Sequence, residues 1–438
     1  KAAEMRCSRA ALAAAIGLVL WSEQSLAQSD TIVYANTPPK LLPYGKFQRP
    51  HRFFFDAPID YYGAGRDKRP PAGLEEVRIG FLGPIEGSRD SSRGRRMLQG
   101  AMLAVEEANA QGGYRGLPFK LVVRNDLGLW GASSNELVAL HEAGVWGTLG
   151  SIDGANTHIM LRIALKIDMP LVVSGDTDPT LTETLIPWMI RVSGDDRQTC
   201  YALALYAYDV RGYRRVAVLR VNNRYGRVGT AEFKDAMRRL GAPIVLEMRF
   251  TQGDTSFTSQ LERIRLARAD AVLVWGDPEE AGRIVRQMRE MGMDLPVMGS
   301  DRIVSPKFLE LAGPAAEGVV ATYLYNPESD DPYLGSFAGR YRARFREDPE
   351  TFAAHAYDGM NLLIDAIRAA GLNRVRIRDR LTALDEYRGV TGRIVFDARH
   401  DDIGPIWMAR VVGGEFVFSP SLLKGNAHDK LPRRNEDG

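Results

Sequence analysis

The chain has 438 residues, of which 45% are hydrophobic and 26% are charged, a composition typical of a folded protein with two or three domains. Its formal net charge of +2 at pH 7 argues against a nucleic-acid-binding protein, which would carry a strong basic excess. No apolar run after residue 27 approaches the roughly 20 residues that span a bilayer, so we expect no membrane insertion of the mature chain.

The first 27 residues have the pattern of a cleavable secretory signal peptide. Arg6 and Arg9 precede a short apolar run at 10–20, and Ser25-Leu26-Ala27 forms a small-x-small cleavage site. Gln28 stands where a lipoprotein would need a cysteine, so lipid anchoring is not expected. The predicted location is therefore the periplasm.

The cysteine content indicates a fold that is stabilised by its hydrophobic core rather than by disulfides. Of the two cysteines, Cys7 lies in the predicted signal peptide, which leaves Cys200 alone and excludes an intramolecular disulfide. Cys200 begins an apolar helical stretch, which indicates a buried thiol rather than a reactive nucleophile.

Residues 28–74 are rich in proline and aromatic residues and show no helical or strand period, so we interpret them as an irregular arm. Docking of its aromatic side chains on the body of the protein is favoured over docking on a partner, because exposed phenylalanine runs are costly in water. At the other end, 419–438 has little apolar content and is predicted to be a disordered tail.

Between the arm and the tail, strand and helix patterns alternate regularly. Helices are predicted at 97–108, 132–141 and 156–166, between strands at 77–82, 119–124, 145–149 and 170–173.

A second series follows residue 196. Helices are predicted at 199–210, 230–240, 257–266 and 279–291, with strands at 215–219, 243–250, 271–275 and 296–299. Three further helices, at 332–346, 352–370 and 375–384, precede short strands at 392–396, 405–412 and 415–418. Two such series predict an α/β protein with two parallel sheets, each covered by helices.

The motifs of common enzyme classes are absent from the sequence. No G-x-G-x-x-G follows the first strand, and there is no Walker lysine motif and no G-x-S-x-G elbow. The six histidines are scattered, without an H-E-x-x-H or a cysteine pair. We therefore predict a protein that is not an enzyme and uses no cofactor or metal.

Several short motifs, in their order and spacing over about 340 residues, resemble the type I periplasmic solute-binding proteins of ABC importers, in particular the leucine/isoleucine/valine-binding branch. The motifs are Arg78-Ile-Gly-Phe-Leu-Gly-Pro84, Gly100-Ala-Met-Leu-Ala-Val-Glu-Glu-Ala-Asn109, Gly112-Gly113, Gly150-Ser151, Pro179-x-Leu181-Thr182, Arg191-x-x-x-Asp195-Asp196-x-Gln198, Asn223-x-Tyr225-Gly226, Met298-Gly299-Ser300-Asp301 and Ala315-Ala316-Glu317-Gly318.

This resemblance implies two Rossmann-like lobes joined by three hinge crossovers. We place lobe one at 75–195 and 325–390, and lobe two at 196–324 and 391–418. Ligands of open α/β sheets bind beyond the carboxyl ends of the strands, so the two sheets would face a shared cleft that closes over a solute.

The resemblance also implies a set of site residues. In amino-acid-binding relatives, hydroxyls and helix N-terminal amides hold the carboxylate of the ligand, and an acid with aromatic residues holds its ammonium group. Thr177 matches the threonine, Asp301 matches the acidic partner of the ammonium group, and Asp196 matches an acid at the start of lobe two. The complete predicted set is Asp153, Gly154, Ser174, Asp176, Thr177, Asp196, Tyr225, Trp275, Asp277 and Asp301.

The sequence departs from the pattern of the family at the expected carboxylate site. Gly154 replaces the serine, with Asp153 beside it, and Asp176 adds another acid. An unpaired Asp would oppose a bound anion by about 4 kcal/mol at 4 Å and an effective dielectric constant of 20. The pattern therefore also allows a cationic, amine-bearing or hydroxyl-rich solute.

Each of these residues has a structural alternative. Asp153, Asp176 and Asp196 lie near predicted helix starts, where Asp is a common N-cap, and Thr177 is also suited to capping. Trp275 ends a strand and is suited either to core packing or to forming a ligand wall.

The leading hypothesis is a monomeric periplasmic receptor that binds an amino acid or related amine and delivers it to a membrane permease driven by an ATPase. Alternatives are a receptor for an aromatic acid, amide or alcohol, a sensor of the same fold that signals to a partner, and an exported enzyme of a kind not recognised here.

Overall fold

The structure, a computed structural model, describes residues 60–422. The predicted signal peptide, residues 28–59 of the predicted arm and residues 423–438 of the predicted tail lie outside the described residues. Among residues 60–422, no helix has both the length and the apolar character that crossing a bilayer requires.

The first part of the chain forms a five-stranded parallel sheet. Its strands are β1 Val77–Gly83, β2 Phe119–Asn125, β3 Thr148–Leu149, β4 Leu171–Val173 and β5 Met189–Arg191, in the order β2-β1-β3-β4-β5. The central strands consist almost entirely of buried apolar residues because helices cover both faces of the sheet.

A second sheet has seven strands. Its strands are β6 Val216–Val221, β7 Leu246–Phe250, β8 Ala271–Trp275, β9 Val297–Gly299, β10 Val320–Tyr323, β13 Trp407–Val412 and β14 Glu415–Pro420, in the order β14-β13-β10-β9-β8-β6-β7. The five strands from β10 to β7 are parallel, and β13 and β14 add an antiparallel edge. A separate hairpin pairs β11 Glu386–Gly389 with β12 Gly392–Val395.

Helices pack on both sheets. They are α1 Ser91–Ala110, α2 Trp130–Glu142, α3 Gly154–Ile167, α4 Asp196–Leu205, α5 Arg224–Leu240, α6 Thr258–Leu266, α7 Pro278–Glu290, α8 Pro306–Ala312, α9 Pro332–Phe345, α10 Thr351–Ala370 and α11 Arg374–Thr382. Although α10 follows five strands of the second sheet in sequence, it packs against α1 of the first sheet. A Cβ atom at Gly100 of α1 would lie 2.1 Å from the carbonyl oxygen of Ala353, which shows how closely the two helices approach.

The chain passes between the sheets three times: after β5, after β10 and between β12 and β13. The buried Arg191 ties the first and third passages together, because its guanidinium group lies 2.7 Å from Asp401 and 3.3 Å from Asp195. The predicted architecture of two lobes with parallel central sheets and three crossovers is thus confirmed, whereas the predicted lobe boundaries stay predictions.

The local predictions were wrong at several places. The short strands β5, β10 and β11 and the helix α8 were missed, and β3 has two residues instead of five. Helix α5 begins six residues earlier than predicted because the Asn223 side chain accepts a hydrogen bond from Gly226 N and caps it. Strand β14 continues to Pro420, into the predicted tail, because its last residues pair with β13.

The described part of the arm, 60–74, lacks helix and strand and packs on the body of the protein. Tyr61 contacts Trp188 edge to face, with 5.0 Å between the ring centroids. Arg66 pairs with Asp379 at 2.7 Å. The Asn373 side chain donates to three carbonyl oxygens of the arm. These contacts fix the segment against α11 and the end of the first sheet.

Candidate functional site

The carboxyl ends of the two parallel sheets face one another, and ionic contacts join them. On the first sheet, α1 follows β1 and the loop with Asp178 follows β4. On the second, α5 follows β6 and α7 follows β8. Four ion pairs connect the two sides, and we call these four pairs the clasp. They are Arg224 with Asp178 at 2.6 Å, Arg89 with Glu280 at 2.8 Å, Arg93 with Asp277 at 2.9 Å, and Arg302 with Asp90 at 3.9 Å.

Tyr225 and Asp301, which sequence reasoning assigned to the site, are in direct contact in the second lobe. Tyr225 lies in the first turn of α5, and its hydroxyl donates a 2.8 Å hydrogen bond to Oδ1 of Asp301, just after β9. The Asp301 residue is 3% exposed, so its carboxylate is held in a buried position by this bond.

Asp196 is the first residue of α4, at the first passage between the lobes. Its neighbour Asp195 is the N-cap, and its side chain accepts from Gln198 N. Asp196 is therefore free of the capping role considered for it, and its buried Oδ1 accepts no hydrogen bond from the described residues. Burial, followed by the negative charge of Asp301, raises the pKa of Asp196 well above its usual value. A cation between these carboxylates would relieve their repulsion.

Asp176 follows β4 in the first lobe and is 2% exposed. Its Oδ1 accepts from Asp178 N at 3.0 Å, whereas Oδ2 has no hydrogen-bond partner in residues 60–422. Burial, and then the charge of Asp178, raise the pKa of Asp176 to about 7, against a smaller opposing effect of the Thr157 hydroxyl. The nearby Ser174 hydroxyl is also buried and unpartnered among the described residues.

Other predicted residues have structural contacts. Asp153 caps α3, accepting from Ala155 N at 2.8 Å. A Cβ atom at Gly154 would lie 2.3 Å from Oδ2 of Asp178, so the glycine allows the contact of α3 with the clasp. Thr177 accepts a backbone hydrogen bond from Asp196 N at 2.8 Å, which links the two sides of the site.

Trp275 and Asp277 follow one another at the end of β8. Trp275 is fully buried and packs on Gly229 and Tyr225, which agrees with its alternative role in the core. Asp277 belongs to the clasp and also accepts from Gln252. Burial acts to raise the pKa of Asp277, but the charges of Arg93 and Arg302 outweigh it and hold this pKa well below its usual value.

Sequence reasoning missed the arginines of the site. The guanidinium group of Arg302 lies over the Tyr225 ring, 3.7 Å from its centroid, and 3.5 Å from Asp277. Its side chain is only 6% exposed. One face of the ring of Tyr225, a predicted site residue, is thus covered by Arg302 in this closed arrangement. The sequence offered one indication that Arg302 belongs to the site, namely its position directly after Asp301 at a strand end. Nothing in the sequence distinguished Arg93 from the other Lys and Arg residues, which number 57 in total.

Two cavities lie away from this cleft. One of about 960 Å³ lies at the amino-terminal edge of the first sheet and is lined by Lys120, His141 and Arg374 among others. The other, of about 550 Å³, lies between α1, α9 and α10. In residues 60–422, no group of three or more His, Cys, Asp or Glu side chains is placed to hold a metal ion.

The clasp should stabilise the closed form in an ionic-strength-dependent way. Replacing Arg93 with glutamine removes a charge-assisted hydrogen bond worth about 1.5 to 3 kcal/mol, so the open form should become at least about tenfold more populated. Small-angle X-ray scattering of the solute-free protein should show a larger radius of gyration, as should wild type in 0.5 M NaCl.

Arg342→Gln is the matched control for this prediction, because it breaks an exposed pair with Asp348 outside the cleft. It should leave the radius of gyration unchanged. Equal scattering from Arg93→Gln and wild type would show that these contacts do not hold the lobes together.

Known proteins are similar to this chain in sequence and in fold. The periplasmic binding protein family matches residues 76–415. A Leu/Ile/Val-binding protein homolog 2 from Brucella abortus is 28% identical over 331 residues, which are 74% of this chain and 87% of that protein. An amino acid binding protein from Pseudomonas aeruginosa is 29% identical over 308 residues, 68% of this chain and 80% of the relative.

A solved structure is similar over nearly its whole length. The branched-chain amino acid transporter substrate binding protein from Streptococcus pneumoniae, in complex with isoleucine, superposes with a TM-score of 0.72 at 26% identity. The match covers 79% of this chain and 99% of that one. The family match spans both sheets and the three passages between them, and so the chain belongs to the periplasmic binding protein family.

Proposed function

We propose that this chain is the solute-binding component of an ABC importer, which captures a small amine-bearing solute between its lobes and delivers it to a membrane permease with an associated ATPase. Its relatives support this role, since they are named for binding branched-chain or other amino acids. The signal-peptide pattern at 1–27 and membership of this family both support export to the periplasm and action there.

The observation that carries the proposal is the pair of buried carboxylates, Asp196 and Asp301, at the carboxyl ends of the sheets. One is held by the Tyr225 hydroxyl and the other has an unpartnered oxygen. The charge of Arg302 acts to lower the raised pKa of Asp196, but Arg302 also interacts with Asp90, Asp277 and Asp301. A buried carboxylate whose charge is not fully compensated is unfavourable. An ammonium group bound between the two lobes would supply the missing positive charge and favour closure.

A thermal-shift screen tests the proposal. The purified protein is heated with amino acids, amines, amides, alcohols and aromatic acids, and a bound solute at 100 times its dissociation constant should stabilise it by about 2.7 kcal/mol. The solute should be recovered chemically unchanged. A screen without any stabilising amine, or turnover of the solute by the protein alone, would contradict this function.

Binding of an amine that stays protonated should strengthen as pH rises from 5.5 to 8. The pKa of Asp176 is raised to about 7 and that of Asp196 is raised as well, so both carboxyls bind protons at low pH and compete with the cation. The same shifts make the empty folded state bind more protons than the unfolded chain between pH 4 and 7, so these two groups stabilise the empty protein at low pH and lose that effect as pH rises.

The measurement is the increase in melting temperature with saturating amine at each pH. The increase should be larger at pH 8 than at pH 5.5, and Asp176→Asn should flatten part of that slope. An increase that is largest at pH 5.5 would contradict the assignment of these carboxyls to the site.

A further inference from the structure

We infer that the solute is an amine without a free carboxylate, such as a primary amine, an amino alcohol or an amino amide, rather than a zwitterionic amino acid. This inference rests on the proposed function and narrows it to one charge class. It follows from the way the charged groups around the cleft are already paired.

The N-terminus of α3 is the place in the first lobe where backbone amides would attract an anion. Carboxylates of the chain already surround it. Asp153 accepts from Ala155 N, and Asp178 lies against Gly154. Asp176 lies close to both of them and to Thr157. A solute carboxylate would therefore be placed beside the side-chain carboxyl groups of three aspartates at this end of the cleft.

The nearest cation to that helix end is already occupied. Nε of Arg224 lies 2.6 Å from Oδ2 of Asp178, and its Nη2 donates to the Thr180 hydroxyl at 2.9 Å. Binding of a solute carboxylate here would have to break this pair, which is also part of the clasp that joins the lobes. The arrangement thus opposes an anion both by charge and by the loss of an existing contact.

The guanidinium groups deeper in the cleft are paired as well. Arg93 contacts Asp90 and Asp277, and Arg302 contacts Asp277 and lies over the Tyr225 ring. These two arginines and two aspartates balance one another. Within residues 60–422, this side of the cleft thus carries no excess of positive charge to receive a carboxylate.

Two acidic residues of the cleft that have no ion-pair partner among residues 60–422 also have carboxylate oxygens without hydrogen bonds. Oδ2 of Asp176 and Oδ1 of Asp196 have no hydrogen-bond partner in the described part of the chain, and both residues are at least 98% buried. With Asp301 they form a buried acidic group drawn from both lobes and the first passage. A positively charged solute bearing several N–H or O–H donors satisfies these oxygens, whereas a zwitterion brings a carboxylate that they repel.

Calorimetric titration of the full chain with matched solutes tests this inference. Each set keeps one side chain and one amino group, and the carboxylate is present, converted to an amide or removed: leucine, leucinamide and 3-methylbutylamine; phenylalanine, phenylalaninamide and 2-phenylethylamine; serine, serinamide and ethanolamine. In at least one set, the amide or amine should bind at least about 100-fold more tightly than the amino acid. An amino acid that binds as tightly as its amide in every set that binds would overturn the inference and leave the proposed function standing.

Absence of binding in all three sets would count against both proposals. As a further arm, Asp176→Asn keeps the shape of the side chain and removes its charge. It should weaken binding of the amide about tenfold and strengthen that of the amino acid. The control Asp330→Asn removes the same charge from an exposed loop and should change neither. If the ratio of the amide affinity to the amino acid affinity is the same in Asp176→Asn as in wild type, Asp176 does not set the charge preference.

Discussion

Asp301→Asn should weaken the binding of an amine solute by about 30-fold to 1,000-fold. The variant keeps the side-chain shape and still accepts the hydrogen bond from the Tyr225 hydroxyl, so the local structure should persist. What it loses is one of the carboxylates that neutralise the ammonium group, and removal of one partner from a buried charged pair costs about 2 to 4 kcal/mol. Isothermal titration calorimetry measures the change directly.

Tyr225→Phe is the companion variant. It removes only the hydroxyl that orients Asp301, so affinity should fall by about tenfold, the cost of one hydrogen bond to a charged group. The order of the two effects is part of the prediction. Wild-type affinity in Asp301→Asn, or a larger loss in Tyr225→Phe than in Asp301→Asn, would remove Asp301 from the site.

Gly100→Ala should destabilise the protein by at least about 2 kcal/mol, although alanine is the better helix former. The added Cβ atom would lie 2.1 Å from the carbonyl oxygen of Ala353, so α1 and α10 would have to separate. This contact exists because the chain returns to the first lobe after the second passage. Thermal or urea unfolding in the absence of solute measures the loss of stability.

Gly339→Ala is the matched control, since it makes the same chemical change within a helix. In α9 no atom lies within 4 Å of the new Cβ atom, so the variant should be more stable than wild type by up to about 1 kcal/mol. The two substitutions should thus change the free energy of unfolding in opposite directions. Equal stability of the two variants would contradict the close packing of α1 and α10.

The sequence was informative where a single segment determines its own structure. Strands β1 and β8 were predicted because their apolar runs reflect burial on both faces of a sheet. Most of the helices were predicted from the apolar periodicity within each segment. Strands β5 and β10 were missed because each has only three or four residues and is defined by pairing with segments distant in the chain. Helix α8 was missed for its short length of seven residues.

The same distinction applies to the site. Asp301 and Tyr225 were assigned to the site through the resemblance to the family, and both lie just after strands, at the edge where α/β proteins bind ligands. The capping role of Asp153 was foreseen as an alternative, because it depends on the next two residues alone. The positions of Arg93 and Arg302 in the clasp could not be predicted, since the pairs Arg93–Asp277 and Arg302–Asp90 join different lobes and form only when the lobes close.

The central claim is that a solute amine is held between the lobes by Asp196 and Asp301. The most direct measurement is a crystal structure of the protein with the tightest-binding amine from the matched sets. We expect density for one molecule in the cleft, with its nitrogen within hydrogen-bond distance of both carboxylates. Density only in the 960 Å³ cavity at the opposite edge of the first sheet, with the cleft unchanged, would contradict the account.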